Sequence, residues 1–205
     1  MEKNVTIGIT GGIGSGKSVV SRILRCNGFM VFDCDYEAKE IMNRDEQLKR
    51  QLKEGLGNAI YNVDGSLNRQ EMAKEIFNDK DKRDYVNSLV HEAVRKSIEE
   101  RRKKITGFFF IESAIISTGG ISPMCDKIWV VTAPEEVRIE RVENRDNLTR
   151  DQIEKRIQSQ ESEFEALPKG KILRIKNGND SRVLPEVLKI TDRYKNLNTY
   201  SITTC

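Results

Sequence analysis

Gly11-Gly12-Ile13-Gly14-Ser15-Gly16-Lys17-Ser18 constrains this chain more than any other stretch. It satisfies G-x-x-x-x-G-K-[ST]. It also stands between a short apolar run, Val5-Thr6-Ile7-Gly8-Ile9, and a segment whose apolar positions Val20, Ile23 and Leu24 have helical spacing. Strand, loop and helix in that order are the context in which this pattern cradles phosphate. Glycines let the backbone wrap so that successive N–H groups point inward, and the helix beginning near Lys17 adds the positive end of its dipole. Gly12 through Val19 are therefore the expected contacts to ATP. The Lys17 ammonium is expected to bridge the β- and γ-phosphates and the Ser18 hydroxyl to ligate Mg²⁺. The competing reading, a glycine-rich turn with no ligand, leaves a complete motif in its required context unexplained.

The rest of the chain repeats the alternation. Gly28 sits where a helix C-terminus favours positive φ, and Phe29-Met30-Val31-Phe32 is a second apolar run ending at Asp33. Further strands are predicted over 108–111, ending at Glu112, over 128–132, just before Pro134, and over 172–175, before the turn signal Asn177-Gly178. The expected fold is α/β of the P-loop NTPase type: a parallel five-stranded sheet flanked by helices, with core segments 1–35 and 106–195. Residues 36–105 are highly charged and read as a helical insertion, with helices around 38–56, 70–77 and 86–105. Asp64-Gly65 marks a turn there and Asn68 a helix cap. A helical lid is expected over about 134–162 and a frayed tail over 196–205.

Composition narrows the function classes. With 205 residues the chain holds one domain with an appendage rather than two independent ones. Lys plus Arg number 35 against 32 Asp plus Glu, too even a balance to grip a polyanion, and the insertion has no aromatic stacking platform, so no nucleic-acid partner is expected. Cys26, Cys34, Cys125 and Cys205 lack Cys-x-x-Cys spacing and, with one histidine, offer no zinc site; a reduced, cytoplasmic protein fits them. No run approaches membrane-spanning length. A monomer or small homo-oligomer is expected.

A shared fold settles little about activity. A guanine-reading Asn-Lys-x-Asp and an Asp-x-x-Gly switch are both missing, which argues against a GTPase, and the compact chain lacks the body of a motor. A kinase of a small acceptor remains. The run from Ile7 to Ser18 resembles the opening signature of the dephospho-CoA kinase family, in which Thr-Gly-Gly-Ile-Gly-Ser-Gly-Lys is characteristic. Val31-Phe32-Asp33-Cys34-Asp35 is similar to that family's Asp-x-Asp motif. Asp64 to Arg69, Ile76-Phe77, and Leu89-Val90-His91-Glu92 resemble its insertion segments. Arg141, Arg145, Arg156 and Gln160 fall at the spacing of its Arg-x-x-x-Arg and Arg-x-x-x-Gln pattern. Departures are Glu92 in place of proline, Arg138 where glutamine is common, and Phe110 to Ile115 in place of a Pro-Leu-Leu-rich segment.

The resemblance implies transfer of the ATP γ-phosphoryl group to the 3′-hydroxyl of dephospho-CoA, with Asp33, Lys17 and Arg141 catalytic. Arg145 and Asn177 would lie on ATP, Thr10, Asp35, His91 and Glu112 on the acceptor side, and Ser18 on Mg²⁺. From the residues alone, two readings of Asp33 stand: a proton acceptor at the carboxyl end of a strand, where ligands of open sheets bind, or a helix cap. Of the two aspartates, Asp35 is the one expected to cap. Arg138, Arg141 and Arg145 span roughly a 60° arc on a predicted helix, with Glu136, Glu140 and Glu143 opposite. That face is either a lid awaiting an anion or an ordinary solvated surface. Glu112 either supports Mg²⁺ or merely ends a strand. The alternatives carried forward are another small-acceptor kinase, for a nucleoside or nucleotide, and a slow regulatory ATPase.

Overall fold

The computed structural model describes residues 4–146 and 148–198. β1 (Val5–Thr10) feeds the glycine loop, and α1 (Lys17–Cys26) leaves it. Gly28, at φ 84°, turns the chain out of α1 into β2 (Met30–Asp33). β3 (Phe108–Glu112), β4 (Lys127–Thr132) and β5 (Ile172–Lys176) complete a sheet ordered β2-β3-β1-β4-β5. β1 pairs in parallel with β3 and β4, and β4 with β5. The expected five-stranded parallel sheet is therefore present, with strand ends moved by about one residue.

Alternate residues of each strand face opposite sides. On one side Ile7 and Ile9 of β1 meet Val20 and Leu24 of α1 and Val187 of α9 (Val183–Asn198). Phe29, Phe110 and Trp129 run edge-to-face through the same cluster, with ring centroids 5.4 and 5.3 Å apart. Full burial of side chains this size stabilises by roughly 1.5–3 kcal/mol each. On the other side a Cβ at Gly8 would lie 2.7 Å from Ile116 Cδ1 and 3.0 Å from Cys125 Sγ, so the glycine makes room for the loop that follows β3. Burial pushes the Cys125 thiol there up to about 12.

Residues Asp33–Lys103 form a compact helical unit of their own, close to the insertion expected over 36–105. Its helices are α2 (Cys34–Arg44), α3 (Glu46–Leu56), α4 (Arg69–Phe77) and α5 (Lys80–Arg102). Leu48, Leu52 and Leu56 of α3 and Val86, Val90, Val94 and Ile98 of α5 are buried, an i,i+4 stripe on each helix. The single helix expected over 38–56 is two, because Asp45 leaves the helical region and its carboxylate accepts from the Gln47 and Leu48 amides at 2.9 and 3.0 Å. Asn68 caps α4 as expected, accepting from Glu71 N.

Beyond β4 the expected lid divides into α6 (Glu135–Asp146), α7 (Arg150–Ser159) and α8 (Glu161–Glu165). Ile139, Val142, Ile153 and Ile157 form a second small core between α6 and α7, to which Ile13 of the glycine loop and Leu148 add. Of the tail expected over 196–205, residues 196–198 close α9, so they are helical rather than frayed; the remainder lies outside the described residues. Among the described residues no helix is long and apolar enough to cross a membrane.

Candidate active site

The loop between β1 and α1 is folded by its own glycines. Gly14 and Gly16 hold φ of 75° and 91°, where a side chain is strained, and Ser15 N donates to Gly12 O at 3.0 Å. α1 opens on Gly16 with no side-chain cap and no acid in its first turn, which leaves its positive end suited to an anion. Lys17 Nζ donates to Gly11 O at 2.6 Å, folded back over the loop it belongs to. Ser18 is exposed in the first turn of α1. The Val19 amide donates to Gly16 O at 3.0 Å, so that N–H is already used inside the helix. Ser15 Oγ and Thr10 Oγ1 are buried with no hydrogen-bond partner.

Distant side chains brace this loop. Arg138 Nε donates to Ile13 O at 2.9 Å, and Ile13 N donates to Gln160 Oε1 at 2.8 Å, so both backbone groups of one loop residue are held from the α6–α8 segment. Asn177 Nδ2, itself buried, donates to Ser15 O at 2.8 Å. The approach is close: a Cβ on Gly16 would lie 2.1 Å from Asn177 Nδ2, and one on Gly12 2.4 Å from an Arg138 guanidinium nitrogen. Arg141 reaches Gly14 O at 3.4 Å. Burial, opposed by nearby Glu135, pulls Arg138 below its ordinary value. A cavity of about 240 Å³ lies against Gly12 and Ser15, walled in part by Thr132, Arg138, Phe164 and Arg174. Its two charged walls, Arg138 and Arg174, are cationic, and most of the others, such as Val130, Val131, Leu167 and Ile172, are apolar.

The arginine face expected on α6 is thus only partly open. Arg138 keeps its charge but is turned onto the loop carbonyl of Ile13, and exposed Arg145 is held by Asp146 through two bonds of 2.7 Å, so of the three arginines Arg145 is the neutralised one. Asp33 closes β2 and caps α2, its Oδ1 accepting from Tyr36 N at 3.0 Å. The expectation that Asp35 would be the cap is therefore corrected: Asp35 is exposed in the first turn instead. One oxygen of Asp33 serves the cap, so the capping and proton-accepting readings do not exclude each other. Glu112 ends β3 opposite Ile9, one residue before Thr10. His91 lies on α5, where burial and the Arg95 charge hold its imidazole below the usual 6.5.

The sequence pattern puts Arg138 on this helix without a partner, and Gln160 stands out only through the family resemblance. The contacts span 125 and 147 residues, and no local pattern announces contacts of that separation.

A family model for dephospho-CoA kinase matches residues 5–182. The chain belongs to the dephospho-CoA kinase family. It is 36% identical to a dephospho-CoA kinase of Porphyromonas gingivalis, over 92% of this chain and 93% of that one. A crystal structure from Thermus thermophilus superposes with a TM-score of 0.74 at 30% identity, over 94% of this chain and 98% of that one. A dephospho-CoA kinase from Campylobacter jejuni shares the fold, with a TM-score of 0.68 at 21% identity, over 95% and 99% of the two chains. The family assignment covers the glycine loop, Asp33, the insertion, the arginine helix and Asn177 alike, since all lie within the matched span.

Proposed function

We propose that this chain is a dephospho-CoA kinase: it transfers the γ-phosphoryl group of ATP to the 3′-hydroxyl of dephospho-CoA, giving CoA and ADP. The observation that carries the reading is the phosphate-binding loop held by Arg138, Gln160 and Asn177 within a chain matched to that family over 5–182. Phosphoryl transfer asks a protein for position and charge more than for covalent chemistry. The uncapped start of α1 suits the phosphates, and the Lys17 ammonium, on Gly11 O, is within the same turn of chain. Arg141 is the cation we assign to the transferring group. Asp33 is the group we assign to the acceptor hydroxyl proton, with Asp35, His91, Thr10 and Glu112 on the acceptor side. The Thr10 hydroxyl is buried at the end of β1 with no hydrogen-bond partner. Arg145, held by Asp146, reaches ATP only if that pair opens, and Asn177 contributes by bracing the loop.

A Mg²⁺ ion fits this site. It commonly takes one or two protein groups plus phosphate oxygens and water. Ser18 is the exposed hydroxyl at the phosphate end of α1 that would hold it. When bound, the ion neutralises charge on the phosphate oxygens.

The test is ADP release from Mg·ATP with dephospho-CoA, AMP, adenosine or shikimate, with CoA confirmed by mass. Selective stimulation by dephospho-CoA with matching CoA is expected. Stimulation by another acceptor alone would move the activity to a different small-acceptor kinase, and no stimulation by any would leave a slow ATPase.

A further inference from the structure

Among the described residues, two buried acids lie outside those assigned above: Glu37, which is paired with Arg44, and Glu163. Glu163, on α8, is 4% exposed, and among the described residues no lysine or arginine pairs with it. Instead three donors converge on its carboxylate. Ser117 N donates to Oε1, while Thr118 N and the Thr118 hydroxyl both donate to Oε2 at 2.9 Å. Burying a carboxylate costs several kcal/mol unless it is well bonded, so the contact is a strong constraint on whatever it holds.

What it holds is the loop leaving the carboxyl end of β3. Ser113 N extends the β1–β3 pairing by donating to Ile9 O at 3.0 Å, directly after Glu112. Ile116 is fully buried against the space left by Gly8 of β1. Ser117 and Thr118 then meet Glu163. Three residues before Glu163, Gln160 accepts from Ile13 of the phosphate-binding loop. One short stretch at the α7–α8 corner therefore grips two loops that leave adjacent strands at the ligand-binding edge of the sheet, one by Gln160 and one by Glu163.

We infer that Glu163 is a positioning residue for phosphoryl transfer: it fixes the loop after β3 to the segment that carries the arginines, so that the β3 edge and Arg141 keep one mutual geometry. The inference rests on the kinase reading for its kinetic consequence. The braces on the phosphate-binding loop do not pass through Glu163, so its loss falls on turnover and on the acceptor, and spares ATP. Glutamine keeps the volume but offers one acceptor oxygen and sets an NH₂ against at least one of the three donors.

The experiment compares the full chain with Glu163→Gln and Glu163→Ala by steady-state kinetics and by amide exchange resolved to residues 113–121. Both variants are expected to speed exchange at Ser117 and Thr118 and to lower kcat/KM for dephospho-CoA by roughly tenfold or more, with KM for ATP within about twofold. Thr118→Val, which removes only the hydroxyl donor, should fall between wild type and Glu163→Gln. Faster exchange with unchanged kinetics would make Glu163 merely structural, and an equal rise in KM for ATP would place its effect on the phosphate-binding loop; either overturns the inference. If the unaltered chain made no CoA from dephospho-CoA, the kinase reading would fall, and unchanged exchange in Glu163→Gln would separately remove the clamp.

Discussion

Gly16 is where the backbone and a distant side chain compete for one place. Its φ of 91° strains any L-residue, and a Cβ there would lie 2.1 Å from the Asn177 amide nitrogen that braces Ser15 O. Left-handed backbone costs an ordinary residue roughly 1–2 kcal/mol, and about 1.4 kcal/mol is tenfold in affinity. Gly16→Ala should therefore raise the dissociation constant for ATP by roughly tenfold or more while far-UV circular dichroism stays unchanged, and unaltered affinity would show that Asn177 can retreat without consequence. Arg141 is a different case, because its bond to Gly14 O is long, at 3.4 Å, and gives the loop little support compared with Arg138. If Arg141 serves the transferring group, Arg141→Ala should lower kcat by about a hundredfold or more with KM for ATP changed only a few-fold. A parallel loss in ATP affinity would instead make it a binding residue. The glycine loop could be assigned from sequence because its requirements are local. The state of Arg138 and Arg141 could not, because whether Ile13 or Gly14 receives either depends on how α6 is turned and docked.

At the level of elements, α6 and α7 are held together by few residues. Ile139, Val142, Ile153 and Ile157 are their core, and Ile13 carries that core onto the phosphate-binding loop. Ile153 is fully buried, so Ile153→Ala should cost about 2–5 kcal/mol, felt as local opening of the helix pair. The expected readout is faster proteolysis between α6 and α7 together with weaker ATP binding, because Ile13 loses its apolar seat; loss of helix-pair protection without any change in ATP affinity would separate the two. α5 allows a pH prediction of the opposite kind. Burial and Arg95 hold His91 below 6.5, so in acid the unfolded chain takes the proton first. Stability present above about pH 6.5 is then lost as pH falls through the folded-state value. Unfolding free energy should drop more steeply from about pH 7 to about pH 5 in wild type than in His91→Asn, and parallel curves would show that the ring contributes nothing to the slope. The break between α2 and α3 was hidden in the sequence because the apolar spacing runs on through it; only the Asp45 carboxylate bonding to the next amides ends the helix.

For the whole molecule, sheet and insertion were readable for different reasons. Each strand is a short apolar run closed by a glycine, proline or acid, and the segment from Asp33 to Lys103 stands out because it carries charge at helical spacing where the core would carry strands. What local pattern could not give was the set of long-range bonds, from Gln160 to Ile13 and from Glu163 to Thr118, that the strand order makes possible. This division leads to a prediction for the two substrates. The residues assigned to ATP belong to the sheet-bearing unit, whereas on the acceptor side Asp33, Asp35 and His91 belong to the helical one and Thr10 and Glu112 to the sheet-bearing one. A ligand that binds only the native state stabilises by about 2.7 kcal/mol at a hundred times its dissociation constant, which for a chain of this size raises the melting temperature by roughly 5–10 °C. Mg·ATP alone should give such a shift, and it should slow amide exchange chiefly in the phosphate-binding loop, α1 and the α6–α7 pair. Dephospho-CoA alone should slow exchange within 33–103. Protection of the same segments by either ligand would show that donor and acceptor do not divide between the units, and dephospho-CoA that protected nothing in 33–103 would remove the insertion from acceptor binding.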